Sequence, residues 1–326
     1  MKTDQNNVIR IFKQGSPEVL EYGTDVIGTP SAGQVLLKQE AIGLNFVDVM
    51  FRKGIFPLSN FPLIIGVEAS GVIEAIGQGV SGFNIGDRVT YYFSLGAYAE
   101  RRIINASSLI KIPENISFDQ AAAITAKGLT ARMLVKQAYP VKKDDIILVH
   151  AAAGGVGSLV SRWAKSLGAT VIGTVGSSSK KAFALNHGID HIVTLDTEDL
   201  EEFVLKFTGG KTIDAVYDGV GNSTFNTSLH LIKNGGTAVL FGSSSGAPNI
   251  DTKTMNDNNI QLIRPDLGSY FNGPSSIQNA ATEMFEAFEK GILGKINPIV
   301  YSLKDAAKAH QDLESGQTTG SVIFHI

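Results

Sequence analysis

Cysteine is absent from all 326 residues, which excludes disulfides, thiolate nucleophiles, iron–sulfur ligation and the commonest zinc sites together. A reducing cytoplasm fits such a chain. An excess of one charge is missing too: 28 Lys and Arg against 31 Asp and Glu leave −3, so no long-range positive field gathers nucleic acid or anionic lipid. The most apolar uncharged stretch, 146–161, falls short of the roughly 20 residues of a spanning helix and holds three glycines. Met1 to Asn7 is polar, without the apolar core of a signal peptide. A nucleic-acid partner, a membrane partner and export are therefore not expected.

What is present is a globular composition, 43% hydrophobic and 18% charged, in a length that corresponds to about two domains. The first hundred residues read as short strands broken by Gly and Pro, such as Val35–Glu40 and Ala69–Ile76. From Asp144 the texture changes to apolar runs separated by helix-length intervals: Ile146–His150, Thr170–Val175, His191–Leu195, Ile213–Asp218, Thr237–Gly242 and Ile260–Ile263. Continuous rather than alternating apolar runs are the pattern of strands covered on both faces, so an α/β fold with a doubly wound parallel sheet is expected. A helix over about Gln278–Lys290 and a strand over Ser321–Ile326 follow, a tail that can return to the first domain.

The first of these strands runs into Ala151-Ala152-Ala153-Gly154-Gly155-Val156-Gly157 and then a helix-forming segment, Ser158–Lys165. Strand, glycine turn and helix in that order form the dinucleotide fingerprint. Its glycines let backbone N–H groups approach a pyrophosphate, and the helix start adds positive potential. Ala152 stands where the pattern has its first glycine, and a plain tight turn is the competing reading. The second strand ends Gly173-Thr174-Val175-Gly176-Ser177-Ser178-Ser179-Lys180-Lys181, without the carboxylate that binds the ribose hydroxyls in NAD sites. Hydroxyls and lysines there favour NADP over NAD, against the alternative of a solvated helix start.

With Gly43-Leu44-Asn45-Phe46-Val47-Asp48, Gly66–Val72, Gly86–Val89, Gly96–Glu100, Lys127–Thr130, Val216–Asp218 and Phe241–Gly246, the chain resembles a known family almost end to end. It is similar to the zinc-independent quinone oxidoreductases of the medium-chain dehydrogenase/reductase superfamily, the zeta-crystallin group. The resemblance implies a mostly β, GroES-like catalytic domain of residues 1–125 and 266–326 around a Rossmann domain of 126–265, with the active site in the cleft. It also implies a homodimer and NADPH-dependent reduction of quinones or related conjugated carbonyls. Zinc alcohol dehydrogenases of the superfamily have Gly-His-Glu where this chain has Gly66-Val67-Glu68, and no cysteine is present to complete a ligand set, so catalytic zinc is not expected.

By the same resemblance Asn45 and Asp48 lie at the nicotinamide and acceptor site. Their alternatives are a helix cap for Asn45 and a solvated carboxylate for Asp48. Thr130, Gly154, Gly155, Val156 and Gly157 match the nicotinamide and pyrophosphate positions. Ser177 and Lys180 match the 2′-phosphate end, and Phe241, Gly242 and Ser244 the turn after the fifth strand, with ordinary core packing an equal reading for Phe241. Met50 and Phe56 stand where relatives often have tyrosines, which makes this acceptor site more apolar. Leu195 replaces a Tyr or His contact near the adenosine phosphate.

Several patterns point elsewhere and are set aside. Gly242–Gly246 matches a Gly-x-Ser-x-Gly nucleophile elbow, but Pro248 opposes the helix that motif requires. Gly209-Gly210-Lys211-Thr212 resembles a phosphate loop but stands where a helix should stop. His187 and His191 have ligand spacing but are separated by Gly188, and His150 reads as packing rather than a general base. Two function classes stay open: an NADPH-dependent reductase of quinones, with enones or enals as alternative acceptors, and a low-turnover NADPH-binding protein.

Overall fold

The computed structural model describes residues 5–189, 191–210, 212–271 and 273–326. Met1–Asp4, Lys211 of the Gly209–Thr212 stretch, Asp190 and Asn272 lie outside the described residues. Two units are distinguished, residues 127–273 with 282–295, and the remainder.

In the first of these the apolar runs become six parallel strands, paired in the order His191–Thr194, Thr170–Val175, Ile146–Val149, Ile213–Asp218, Ile232–Leu240 and Gln261–Ile263. Numbered along the chain this is 3-2-1-4-5-6, the dinucleotide-binding order. Leu148, Ile172, Val193, Val216 and Ala238 are buried together at the centre of this sheet. Each such fully buried aliphatic side chain of Val or Leu size contributes about 1.5–3 kcal/mol.

The fifth strand begins at Ile232, five residues before the expected Thr237, and stops at Leu240. Lys233-Asn234-Gly235-Gly236 is a bulge rather than a turn: the register to the neighbouring strand slips between Ile213 and Ala215, and Gly235 takes φ 74°. A Cβ on Gly236 would stand 2.5 Å from Ile232 Cγ2 and 2.9 Å from the Asp214 carbonyl.

In the other unit Gln34–Leu44 pairs antiparallel with Glu68–Ile76, Arg101–Asn105 and Val322–His325. The C-terminal strand therefore does return to this β unit, with Val322 opposite Leu44. Glu68–Ile76 continues into Arg88–Tyr91 and Ile110–Lys111. A three-stranded sheet of Glu21–Val26, Gln5–Ile11 and Leu63–Ile64 completes it. Ile11, Leu37, Ile42, Ile65, Tyr98 and Phe324 share its core. No helix among the described residues is long and apolar enough to cross a membrane.

Candidate functional site

The strand Ile146–Val149 ends beneath the fingerprint turn, and the following helix, Gly155–Ser166, starts earlier than the sequence pattern indicates, inside the glycines. Gly154 is its N-cap, so the N–H groups of Gly155, Val156 and Gly157 form the first turn, ahead of the helix's own bonding ladder. The turn is tight because Gly157 lies against Ala151: a Cβ on Gly157 would stand 2.3 Å from the Ala151 carbonyl oxygen. Ala152 takes the missing glycine's place because Gly173 on the next strand makes room, a Cβ there falling 2.7 Å from the Ala152 methyl. A tight turn with uncommitted N–H groups at a helix start fits a pyrophosphate.

Below this turn runs a buried chain of polar groups. Thr174 Oγ1 lies 2.8 Å from His150 Nδ1, and His150 Nε2 lies 2.6 Å from Ser228 Oγ. Ser228 Oγ donates to the Thr224 carbonyl at 2.9 Å, and Thr224 Oγ1 donates to Asp218 Oδ2 at 2.7 Å. With the Ser228 proton so committed, its oxygen accepts from His150 Nε2–H, and Nδ1 accepts from Thr174. Burial holds His150 below the usual histidine range, against the pull of Asp218. His150 is thus a structural tie between strand ends. Asp218 Oδ1 also accepts the N–H groups of Val220 and Gly221, at 2.7 and 2.9 Å, and so shapes the turn after the fourth strand.

That turn and the one after the fifth strand interlock. Gly242 approaches so closely that a Cβ would stand 2.7 Å from the Gly219 carbonyl, while Ser244 and Ser245 donate backbone N–H to Gly219 and Val220. Phe241 is half-buried and covers Gly219, whose Cβ would meet its ring at 2.8 Å. No helix follows the Gly242–Gly246 pattern; the chain stays irregular until Thr252. His187 stacks on Phe183 at 3.7 Å between ring centroids, and His191 lies 4.1 Å from Phe207.

At the end of the second strand, Ser177 caps a short turn, Ser178–Lys180. Lys180 is half-buried and has no carboxylate partner among the described residues, and desolvation lowers its pKa. An incompletely hydrated, unneutralised cation suits a phosphate. Lys181 differs, because its Nζ lies 2.9 Å from Glu198. Thr130 is half-buried on the Phe118–Met133 helix.

Asn45 and Asp48 belong to the β unit, at the start of the Phe46–Lys53 helix. Asp48 Oδ2 accepts the Asn45 N–H at 2.9 Å, which closes the helix start. It is fully buried, so the solvated-carboxylate alternative does not hold. Tyr98 explains why: its hydroxyl lies 3.2 Å from Asp48 Oδ2 and 2.8 Å from His310 Nε2. Burial, then Asp48, raises the Tyr98 pKa, while burial, then Arg52, pushes His310 down to about 3. The buried Arg52 pairs with Glu314.

Sequence reasoning missed Glu68. Its carboxylate is fully buried, accepting Asn45 Nδ2 at 2.8 Å through one oxygen and the Ala126 N–H at 2.6 Å through the other. The available signal was Gly43 inside a strand: a Cβ there would lie within 2.5 Å of both Glu68 and the Ala122 carbonyl. Gln14 Nε2 donates to the carbonyls of Phe51, in the last turn of the Phe46–Lys53 helix, and of Phe56, fixing a following loop whose Ile55 and Phe56 are exposed; the Phe51 and Phe56 rings lie 5.5 Å apart.

A doubly wound sheet with a glycine cradle at its first turn, carried together with an Alcohol-dehydrogenase-type β unit, defines a medium-chain dehydrogenase/reductase. Residues 31–114 match the alcohol dehydrogenase GroES-like domain, and residues 155–287 the family described as zinc-binding dehydrogenase. The chain is 39% identical to the quinone oxidoreductase of Pseudomonas aeruginosa over 97% of its own length and 98% of the relative's. It is 37% identical to a 2-haloacrylate reductase of Burkholderia sp, over 96% and 97%. Escherichia coli quinone oxidoreductase complexed with NADPH superposes with a TM-score of 0.94 at 38% identity, covering 98% of this chain and all of that one. The chain belongs to the quinone oxidoreductase family of that superfamily.

Proposed function

We propose that this protein transfers hydride from NADPH to a quinone or a related conjugated carbonyl without catalytic zinc. The observation that carries the reading is the first turn of the Gly155–Ser166 helix, whose leading N–H groups stand at the end of the first strand in a turn held tight by the Gly157–Ala151 approach. NADPH supplies the hydride when bound. Gly155, Val156 and Gly157 hold its pyrophosphate through backbone N–H groups, with Gly154 the cap whose own N–H donates to the Ala151 carbonyl and turns the chain towards it, and Ser177 and Lys180 take the 2′-phosphate. Phe241, Gly242, Ser244 and Thr130 border the dinucleotide.

Asn45 is assigned to the nicotinamide and acceptor, with its amide orientation fixed by Glu68, and Asp48 serves as the buried brace of that helix start. Zinc chemistry does not fit these residues. Val67 has no ligand atom, no cysteine exists in the chain, and both oxygens of Glu68 already accept hydrogen bonds. A conjugated acceptor does not need that Lewis acid, since it spreads the arriving charge by delocalisation, and positioning does much of the work. The exposed Ile55 and Phe56 favour an apolar acceptor. The similarity to a 2-haloacrylate reductase supports activated alkenes as the second acceptor class.

The reading includes a cytoplasmic homodimer, supported by the cysteine-free sequence and by Gln261–Ile263, which ends the parallel sheet as an edge strand. Light scattering checks the dimer. Loss of 340 nm absorbance from NADPH, and separately NADH, with a panel of quinones and enones tests the activity. Rapid oxidation of NADPH is expected. Tight NADPH binding without turnover on any acceptor would replace the reductase by a dinucleotide-binding protein.

A further inference from the structure

We propose that Asp196 works against the adenosine 2′-phosphate and keeps the preference for NADPH over NADH low. The inference rests on the reading of Ser177 and Lys180 as the 2′-phosphate end. Leu195 N–H donates to the Val175 carbonyl at 2.9 Å, which brings the segment after the third strand alongside the end of the second. Asp196 follows directly, and its carboxylate reaches into the serine turn: Oδ2 accepts the Ser178 N–H and Oδ1 the Ser178 hydroxyl, both at 3.4 Å. These are long bonds at an exposed position, so they leave most of the negative charge uncompensated.

The neighbouring cations do not offset it. Lys181 is held by Glu198, whose same oxygen accepts the Thr194 N–H at 2.7 Å, and the Lys181 contact, then Thr194, lowers the Glu198 pKa. Lys181 is thus held by Glu198, and Asp196 adds a second carboxylate at the serine turn, so the two lysines of this segment are matched in number by two carboxylates before any ligand arrives. A phosphate monoester brings about −1.5 to −2. Selectivity for it needs surplus positive charge, and Asp196 instead places a negative charge on the serine turn where, of the two lysines, Glu198 leaves only Lys180 available. NADH, which has a hydroxyl at that place, meets no such opposition.

The test is equilibrium binding of NADPH and NADH by calorimetry, which needs no acceptor and no turnover. Asp196→Asn retains the size of the side chain and is expected to raise the ratio of NADH to NADPH dissociation constants about three- to tenfold, nearly all of it through tighter NADPH. At ~1 M salt, where the Debye length is about 3 Å, the gain should shrink. Asp196→Ser is the second variant and should shift the ratio the same way. Lys180→Ala should bring the ratio towards one. An unchanged or lowered ratio in both Asp196 variants, with Lys180→Ala still lowering it, overturns the proposal and leaves the 2′-phosphate assignment standing. A ratio unmoved by Lys180→Ala removes that assignment, and the role of Asp196 with it.

Discussion

The buried Glu68 carboxylate makes a quantitative prediction through two of its partners. It accepts from a side-chain amide, Asn45 Nδ2, and from a backbone amide, Ala126, at 2.8 and 2.6 Å, with no access to water. Hydrogen bonds to a charged acceptor contribute about 1.5–3 kcal/mol each, so Asn45→Ala should cost about that much. Glu68→Gln keeps the volume but offers one carbonyl oxygen to two donors, so its NH2 must oppose either Asn45 or Ala126. Leaving a buried donor unsatisfied costs about 1–3 kcal/mol in addition to the lost charge assistance. In the double variant no Asn45 amide remains to be opposed, so the two costs should fall short of their sum by about 1–2 kcal/mol. Urea unfolding of the four proteins, followed by circular dichroism, measures this coupling. Additivity within about 0.5 kcal/mol would refute the direct bond between Glu68 and Asn45.

Other expectations follow from the same contacts. His310, held neutral down to about pH 3 in the fold but protonating near 6.5 when unfolded, makes the unfolded chain bind more protons between those values. Its stabilising contribution is complete above about pH 6.5 and falls by about 1.4 kcal/mol per unit as pH drops through that window. Urea titrations from pH 7 to 4 should therefore show a shallower loss for His310→Gln, and an unchanged slope would contradict the burial argument. Gly157→Ala drives a methyl into the Ala151 carbonyl, so it should cost about 1–3 kcal/mol in thermal unfolding and weaken NADPH and NADH alike in calorimetry. Asp218→Asn gives up charge-assisted bonds to Val220, Gly221 and Thr224, and a loss of about 2–3 kcal/mol is expected in the same unfolding assay.

The parallel sheet was legible because its determinants are local: continuous apolar runs, with glycine at the strand-to-helix turn. Its strands fall where the runs are, except around Lys233–Gly236, where two glycines that look like a turn instead make a bulge inside a longer strand. The fingerprint loop could be read for the same reason, although the room that Gly173 gives Ala152 depends on strand pairing. The β unit resisted reading where partners are distant. Asp48 looks solvated by its neighbours in sequence, yet Tyr98 and, behind it, His310 enclose it from 50 and more residues away. Glu68 is one acidic residue among many until Asn45 and Ala126 close on it. Ion pairing also separates Lys180 from Lys181, a difference that the sequence pattern of two adjacent lysines does not explain by itself.

The relay from Thr174 through His150, Ser228 and Thr224 to Asp218 has one assignable place for each proton, and its imidazole resists a second one. The strand ends it joins therefore present an unvarying field to whatever binds the first turn across ordinary pH. Exchanging any member would disturb three turns together, whereas Asp196 on the exposed rim can change sign at little structural cost. On the proposed assignment, dinucleotide choice in this chain is open to drift by single surface substitutions, while the buried polar floor beneath the first turn stays fixed.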